Sequence, residues 1–278
     1  CETIFNDLKE KINEPINDFY NTKATVVFNA VEQSGIRINR GEFKSHFYDE
    51  RSEYVYTQYN FKTLTTRPSN KFNGVNYAAL NKDNGCRKSF IPRNDKFIEL
   101  DISAYHPTLL GLLVGYDFGD EDIHKAFAKM YGVDYHKSKE LTFKQLYGGV
   151  FEQFKDLEFF QRVQIYVDDL WLKFNEKGWI ECPVSKHVYK KDALNDMKPQ
   201  KLLNYVLQNL ETAMNIRILW DIFQSLRNRK TKLVLYTYDS FLFDFKEGEE
   251  DLIDEIKQII NKYKLQIKKS YGSNYDFR

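Results

Sequence analysis

Phe97-Ile98-Glu99-Leu100-Asp101-Ile102-Ser103-Ala104-Tyr105-His106-Pro107-Thr108-Leu109-Leu110 is the stretch on which the fold turns. Phe97, Ile98, Leu100 and Ile102 form a short apolar run, the pattern of a strand buried on both faces. Ser103 offers a hydroxyl at a helix start, and Pro107 falls in the first turn, where its missing N–H does no harm. Leu109, Leu110, Leu112 and Leu113 continue as a buried helical face. Asp101 therefore sits where a strand passes into a helix. Burying a carboxylate there is costly unless a cation accompanies it. Two readings stand: a capping aspartate in a strand-to-helix turn, or a metal ligand that needs a second carboxylate from elsewhere.

A second carboxylate is available between Lys232 and Phe245. Two apolar, β-favouring runs flank Tyr238-Asp239-Ser240, which reads as a hairpin with Asp239 at its tip. If the two strands share a sheet, Asp101 and Asp239 meet, and they repel unless divalent cations lie between them. Two-metal phosphoryl transfer uses such a pair. Asp134 is placed to cap a helix running to Gly148-Gly149, and Lys139, Phe143 and Tyr147 recur every four residues along it. A lysine there suits a triphosphate, and an aromatic beside it can stack on a base. The plainer alternative makes the aromatics core residues and the lysine a snorkelling surface residue. The residues alone point to metal-dependent nucleotidyl transfer.

Composition bounds the class. A chain of 278 residues with 22 Phe and 19 Tyr has the material for a large packed core and does not read as disordered. A formal net charge of +1 means that any nucleic-acid surface is a local patch. Cys1, Cys86 and Cys182 form neither a CxxC pair nor a disulfide framework, which points to a reducing compartment. No apolar run reaches membrane-spanning length, and the start has no signal-peptide layout. Beginning on Cys1 suggests a piece of a longer polypeptide.

Around these two stretches the pattern is mixed. Ile4, Leu8 and Ile12 suggest a helix broken at Pro15 and resumed from Phe19 to Val31, with a stop at Ser34-Gly35. Ile36 to Asn39 reads as extended, Arg40-Gly41 as a turn, and Tyr54 to Lys62 as strand or extended loop. Thr65-Thr-Arg-Pro-Ser-Asn is turn-rich. Asp122 opens a helix ending at Gly132, and further helices span Phe151 to Glu176 and Lys198 to Leu226, the latter carrying Asn204 and Gln208. A hairpin lies around Trp179 to Cys182 and His187 to Tyr189. A helix ending near Tyr263 and a strand over Leu265 to Lys269 close the pattern.

The chain resembles the polymerase portion of family-A DNA polymerases, the class of bacterial DNA polymerase I and many phage replicases. Ser34-Gly-Ile-Arg-Ile-Asn resembles the segment before the thumb, and Thr65-Thr-Arg-Pro-Ser the TGR-x-S segment. Asp101-Ile102-Ser103 matches motif A. Asp122-Ile-His124 and Lys139-x3-Phe143-x3-Tyr147-Gly148 match the fingers and motif B. Asn204-x3-Gln208 matches the palm helix, Tyr238-Asp239-Ser240 motif C, and Gly272-Ser-Asn-Tyr-Asp the usual C-terminal end. Each motif is weak alone, and their shared order over most of the chain carries the resemblance.

The resemblance implies an α+β palm-and-fingers polymerase fold, an antiparallel palm sheet with helical fingers, a thumb minimal or absent and no exonuclease domain. Residues 1–60 would form an N-terminal helical segment, 61–115 and 196–278 the palm, and 116–195 the fingers. It further implies that Asp101 and Asp239 hold two Mg²⁺ ions, with Mn²⁺ as a substitute. Lys139 and His124 would meet the incoming triphosphate, while Ile102, His106, Phe143 and Tyr147 contact the nucleotide. Arg67 and Gln208 would read minor-groove acceptors common to all correct pairs. Asn204 and Tyr238 would contact the primer-template.

Four departures qualify this. His106 stands where the family has a glutamate gate against the ribose 2′-OH, and Tyr135 where motif B begins with arginine. Tyr238 and Ser240 replace the usual His and Glu, and the Ser removes a carboxylate. Only 25 residues separate Asn39 from Thr65, too few for a helical thumb. The implied function is template-directed DNA synthesis from dNTPs on a primer-template, without proofreading and of low processivity unless a partner supplies a thumb. No membrane is involved, and the location is cytoplasmic, that of the host if the source is a phage. The alternatives are an RNA-synthesising or priming polymerase and an inactive nucleic-acid-binding remnant.

Overall fold

A computed structural model of the chain describes residues 22–47, 52–70, 74–119 and 121–277. The expected helix around Ile4, Leu8 and Ile12 lies outside them. Two compact units emerge: Cys1–Thr63, Pro68–Ile102 and Asn215–Arg278 form the first, Leu64–Arg67 and Ser103–Met214 the second.

In chain order, the first unit contributes α1 (Thr25–Ser34), β1 (Ile36–Ile38), α2 (Arg40–Phe47), β2 (Tyr54–Val55), β3 (Phe90–Ile91) and β4 (Lys96–Ser103). The second contains α3 (Tyr105–Val114), α4 (Ile123–Tyr131), α5 (Tyr135–Gly148), α6 (Glu158–Lys177), β5 (Trp179–Glu181) and β6 (Val188–Lys190). The long helix α7 (Pro199–Ser225) carries the chain back to the first unit, which ends with β7 (Lys232–Thr237), β8 (Ser240–Phe245), α8 (Glu250–Asn261) and β9 (Gln266–Gly272).

The first unit is built on a four-stranded sheet ordered β7-β8-β4-β9 and a three-stranded sheet ordered β2-β1-β3. β4 and β8 pair antiparallel, placing Leu100 opposite Phe241 and Asp101 opposite Ser240. β7 and β8 form the expected hairpin, with Tyr238 and Asp239 as its two-residue loop. Ile36, Phe43, Phe90, Phe97, Leu235, Leu242 and Tyr275 belong to one core cluster. α8 buries Leu252, Ile253, Ile256, Ile259 and Ile260 along one face. The buried carboxylate of Asp244 accepts from the backbone N–H groups of Arg93 and Asn94, each at 2.8 Å, and so fixes the turn that feeds β4. Burial pushes its pKa up, and those two donors offset part of the rise.

In the second unit, α4 and α5 follow the sequence closely. The carboxylates of Asp122 and Asp134 accept from the backbone N–H groups of Lys125 and Lys137, and Gly132 and Gly149 stop the two helices at positive φ. Gly178, in the left-handed region, ends α6, and β5 and β6 make the expected antiparallel hairpin. Phe118, Phe127, Tyr131, Phe159 and Phe160 interlock as edge-to-face and stacked rings.

Four local expectations need correction. β4 is buried on both faces only at Phe97 and Ile98: beyond them Leu100 and Ile102 are buried, while Glu99, Asp101 and Ser103 alternate with them and stay half-buried. Ser103 does not cap α3. It ends the strand, and Ala104 makes the corner in the left-handed region at φ 49°. Leu112 is 51% exposed, because the burial that surrounds α3 on every side from Tyr105 to Gly111 ends before it. Arg40-Gly41 opens α2 and is not a turn: Phe43 is buried against Phe47 and Phe90, and that packing holds a helix that propensity alone does not announce.

Candidate active site

The corner of β4 and the tip of the β7–β8 hairpin bring Asp101 and Asp239 together. The backbone N–H of Ile102 donates to the Asp239 carbonyl at 2.8 Å, one residue past the point where Asp101 pairs with Ser240. The Ile102 side chain itself is buried. Asn215 secures the hairpin tip: its side-chain amide donates to the Tyr238 carbonyl at 2.6 Å and to the Tyr236 hydroxyl at 2.8 Å. Tyr238 holds a left-handed conformation at φ 58°, which costs a residue with a Cβ about 1–2 kcal/mol.

The Asp101 carboxyl is pushed up to about 7. Burial is the largest cause, followed by the charges of Asp239 and Glu99; Lys268 and Lys82 pull it back down. Glu99 precedes Asp101 by two residues on the same face of β4, and its Oε1 accepts the Ser240 hydroxyl at 2.7 Å. This is a set of hard oxygen donors carrying more negative charge than it can hold alone. Among the described residues, no three His, Cys, Asp or Glu side chains converge on one point. Carboxylate oxygens of this kind are the donors a hard divalent cation takes.

The second unit gathers the other sequence-predicted residues into two groups. Lys139 lies over the Tyr135 ring, 4.5 Å from its centroid, and His124 meets the same ring edge-on at 5.9 Å. Lys137 and Lys144 both pair with Glu140, whereas Lys139 makes no ion pair among the described residues. Burial, then the charge of Lys139, holds the His124 pKa below its ordinary value. The second group runs through His106. Its Nε2 lies 2.7 Å from Glu211 Oε2, and its Nδ1 lies 2.5 Å from the Tyr147 hydroxyl. Arg67 donates through Nε and Nη2 to the two Glu211 oxygens at 2.9 and 3.0 Å. Phe143, 55% exposed, stacks on Tyr147. Neither aromatic is a core residue.

Asn204 and Gln208 are half-buried on α7, and the buried Oδ1 of Asn204 lacks a partner among the described residues. Two residues escaped the sequence reading: Glu99, beside Asp101, and Glu211, in the His106 group. Each had a signal. Glu99 shares the strand face of Asp101 by alternation, and Glu211 continues the Asn204, Gln208 stripe at helical spacing.

No family model matches the chain, and a search of curated proteins finds no match. Solved structures do match. The polymerase domain of Pol1 from M. smegmatis, determined in complex with DNA primer-template and dNTP, superimposes with a TM-score of 0.67 at 16% sequence identity. The match covers 81% of this chain and 48% of that one, so the chain spans about half the length of that protein. The chain therefore has a polymerase-domain fold, mixed α/β with antiparallel sheets.

Proposed function

We propose that this chain is a template-directed DNA polymerase that adds dNTPs to a primer 3′-OH. The observation that carries the reading is the approach of Asp101, near the end of β4, to Asp239, in the loop of the β7–β8 hairpin whose second strand pairs with β4, within a polymerase-domain fold. Asp101 and Asp239 would hold two Mg²⁺ ions. When bound, such ions activate the attacking oxygen and neutralise charge on the transferring phosphate.

The protein's own groups bind and orient. Lys139, with no carboxylate of its own, offers its ammonium to the triphosphate, and the Tyr135 ring holds it without neutralising it. His124, kept neutral, contributes a ring N–H beside it. Phe143 and Tyr147 present a stacked aromatic face to base and sugar, and His106 meets the sugar edge. Gln208 would read minor-groove acceptors, Arg67 would offer them the guanidinium N–H groups that Glu211 does not take, and Asn204 and Tyr238 would steady primer and template. In this assignment the first unit carries the palm carboxylates and the second the nucleotide-binding helix. The short segment between Asn39 and Thr65 gives little grip on duplex, so synthesis is of low processivity unless a partner supplies it.

Primer extension on a defined template, run with dNTPs and with NTPs in Mg²⁺, tests this. The wild type extends with dNTPs, and Asp101→Asn and Asp239→Asn each lose about 10²–10³-fold in rate, the scale of removing one preorganised charge-stabilising group. Both variants keep DNA binding. Preferred use of NTPs would move the reading to an RNA-synthesising enzyme, and extension unchanged in both variants would remove it.

A further inference from the structure

Glu211 is 1% exposed, and a carboxylate so buried persists only with full hydrogen-bond partnership. Its partners come from two separate parts of the second unit. Arg67, from the 64–67 segment, clamps both oxygens in a fork, and His106, from the first turn of α3, meets Oε2 at 2.7 Å. The chain of contacts continues through the other ring nitrogen of His106 to the Tyr147 hydroxyl on α5, and Tyr147 stacks on Phe143. Glu211 thus joins Arg67 and His106 directly, and Tyr147 and Phe143 through His106.

The geometry restricts the imidazole. In the neutral ring, an Nε2–H donated to the carboxylate leaves Nδ1 to accept the Tyr147 O–H, and with partners on both nitrogens the ring plane is set. Rotating the ring breaks both bonds at once. Without Glu211, the Arg67 guanidinium and the imidazole N–H are donors left facing an empty acceptor position, and the ring loses its reason to hold that plane.

We infer that Glu211 is the positioning residue that sets sugar discrimination, by holding His106 in one orientation toward the nucleotide. This rests on the polymerase reading above and goes beyond it, since Glu211 touches no substrate and acts through His106.

The test measures incorporation efficiency for a dNTP and the matching NTP in the wild type, Glu211→Gln, Glu211→Ala, His106→Ala and the His106→Ala/Glu211→Gln double variant. Glu211→Gln keeps the shape of the side chain, so it reports even where the alanine variant fails to fold. Its amide sets a donor against Arg67 in either orientation and removes the charge that holds the ring. The dNTP-to-NTP efficiency ratio falls about 10-fold in Glu211→Gln, the scale of one charge-assisted hydrogen bond. In the His106→Ala background the same substitution changes the ratio by less than about twofold, the non-additivity expected of residues acting as one unit. An unchanged ratio in Glu211→Gln, or an equal fall in both backgrounds, overturns the inference and leaves the polymerase reading standing. A wild type that shows no Asp101-dependent extension overturns both.

Discussion

The Ser240 hydroxyl donates to Glu99 Oε1 at 2.7 Å, which fixes a second carboxylate of β4 beside the start of β8. Glu99 faces the same side of β4 as Asp101 and adds to the repulsion there. Glu99→Gln removes that charge and lowers the Asp101 pKa from about 7. Carboxyl-carbon NMR titration of the metal-free protein reads the shift directly. A midpoint that does not move would show that Glu99 is screened from Asp101.

Asp101 also makes stability depend on pH. Its carboxyl titrates at about 7 in the folded chain, above the ordinary carboxylate value, so the folded state keeps a proton that the unfolded state releases. Its contribution is fully present below the ordinary value and is lost as pH rises through about 7. Asparagine does not ionise. In chelator, the stability of Asp101→Asn relative to wild type therefore grows between pH 4 and pH 7 and then levels, reaching on the order of 2–4 kcal/mol. Mg²⁺ favours the ionised form and narrows the gap by stabilising the wild type alone. Denaturant melts at four pH values, with and without Mg²⁺, check both statements.

What the sequence revealed, and what it hid, follows from the range of the interactions. The β7–β8 hairpin, the caps Asp122 and Asp134, and the stop at Gly178 rest on contacts within a few residues, and each stands where the pattern put it. The β4-to-α3 corner does not, because Ala104 takes a left-handed conformation that no local signal demands. Asp101 and Asp239 were readable as a pair because each sits at the end of an apolar run. Glu211 was hidden because its meaning depends on Arg67, 144 positions away, and on His106, 105 positions away.

Lys139 offers a separable test. It makes no ion pair among the described residues, and its ammonium rests on the Tyr135 ring. Lys139→Ala should leave the melting temperature within about 2 °C of wild type, since an exposed cation–π contact contributes only about 0.5–1 kcal/mol. Loss of a charge-assisted contact to the triphosphate should weaken dNTP binding about 10–100-fold. Single-turnover extension over a dNTP series separates binding from the chemical rate. A normal dissociation constant would move the triphosphate contact to another residue.

Asn215 joins stability to the site, because one fully buried amide holds both the Tyr236 hydroxyl and the Tyr238 carbonyl beside Asp239. Asn215→Ala removes one hydrogen-bond donor from each of these two acceptors, at a cost of about 2–3 kcal/mol. It also releases the Asn215 hydrogen bond to the carbonyl of a residue held at φ 58°. The tip then relaxes toward an unstrained conformation and carries Asp239 away from its place opposite β4, so extension falls by more than the lost stability explains. Adding Tyr238→Gly tests that sequence of causes, since glycine occupies positive φ without the Cβ penalty. The double variant should recover part of the melting temperature of Asn215→Ala and part of its extension rate. Recovery of stability with no recovery of extension would show that the Tyr238 ring itself contacts the primer-template.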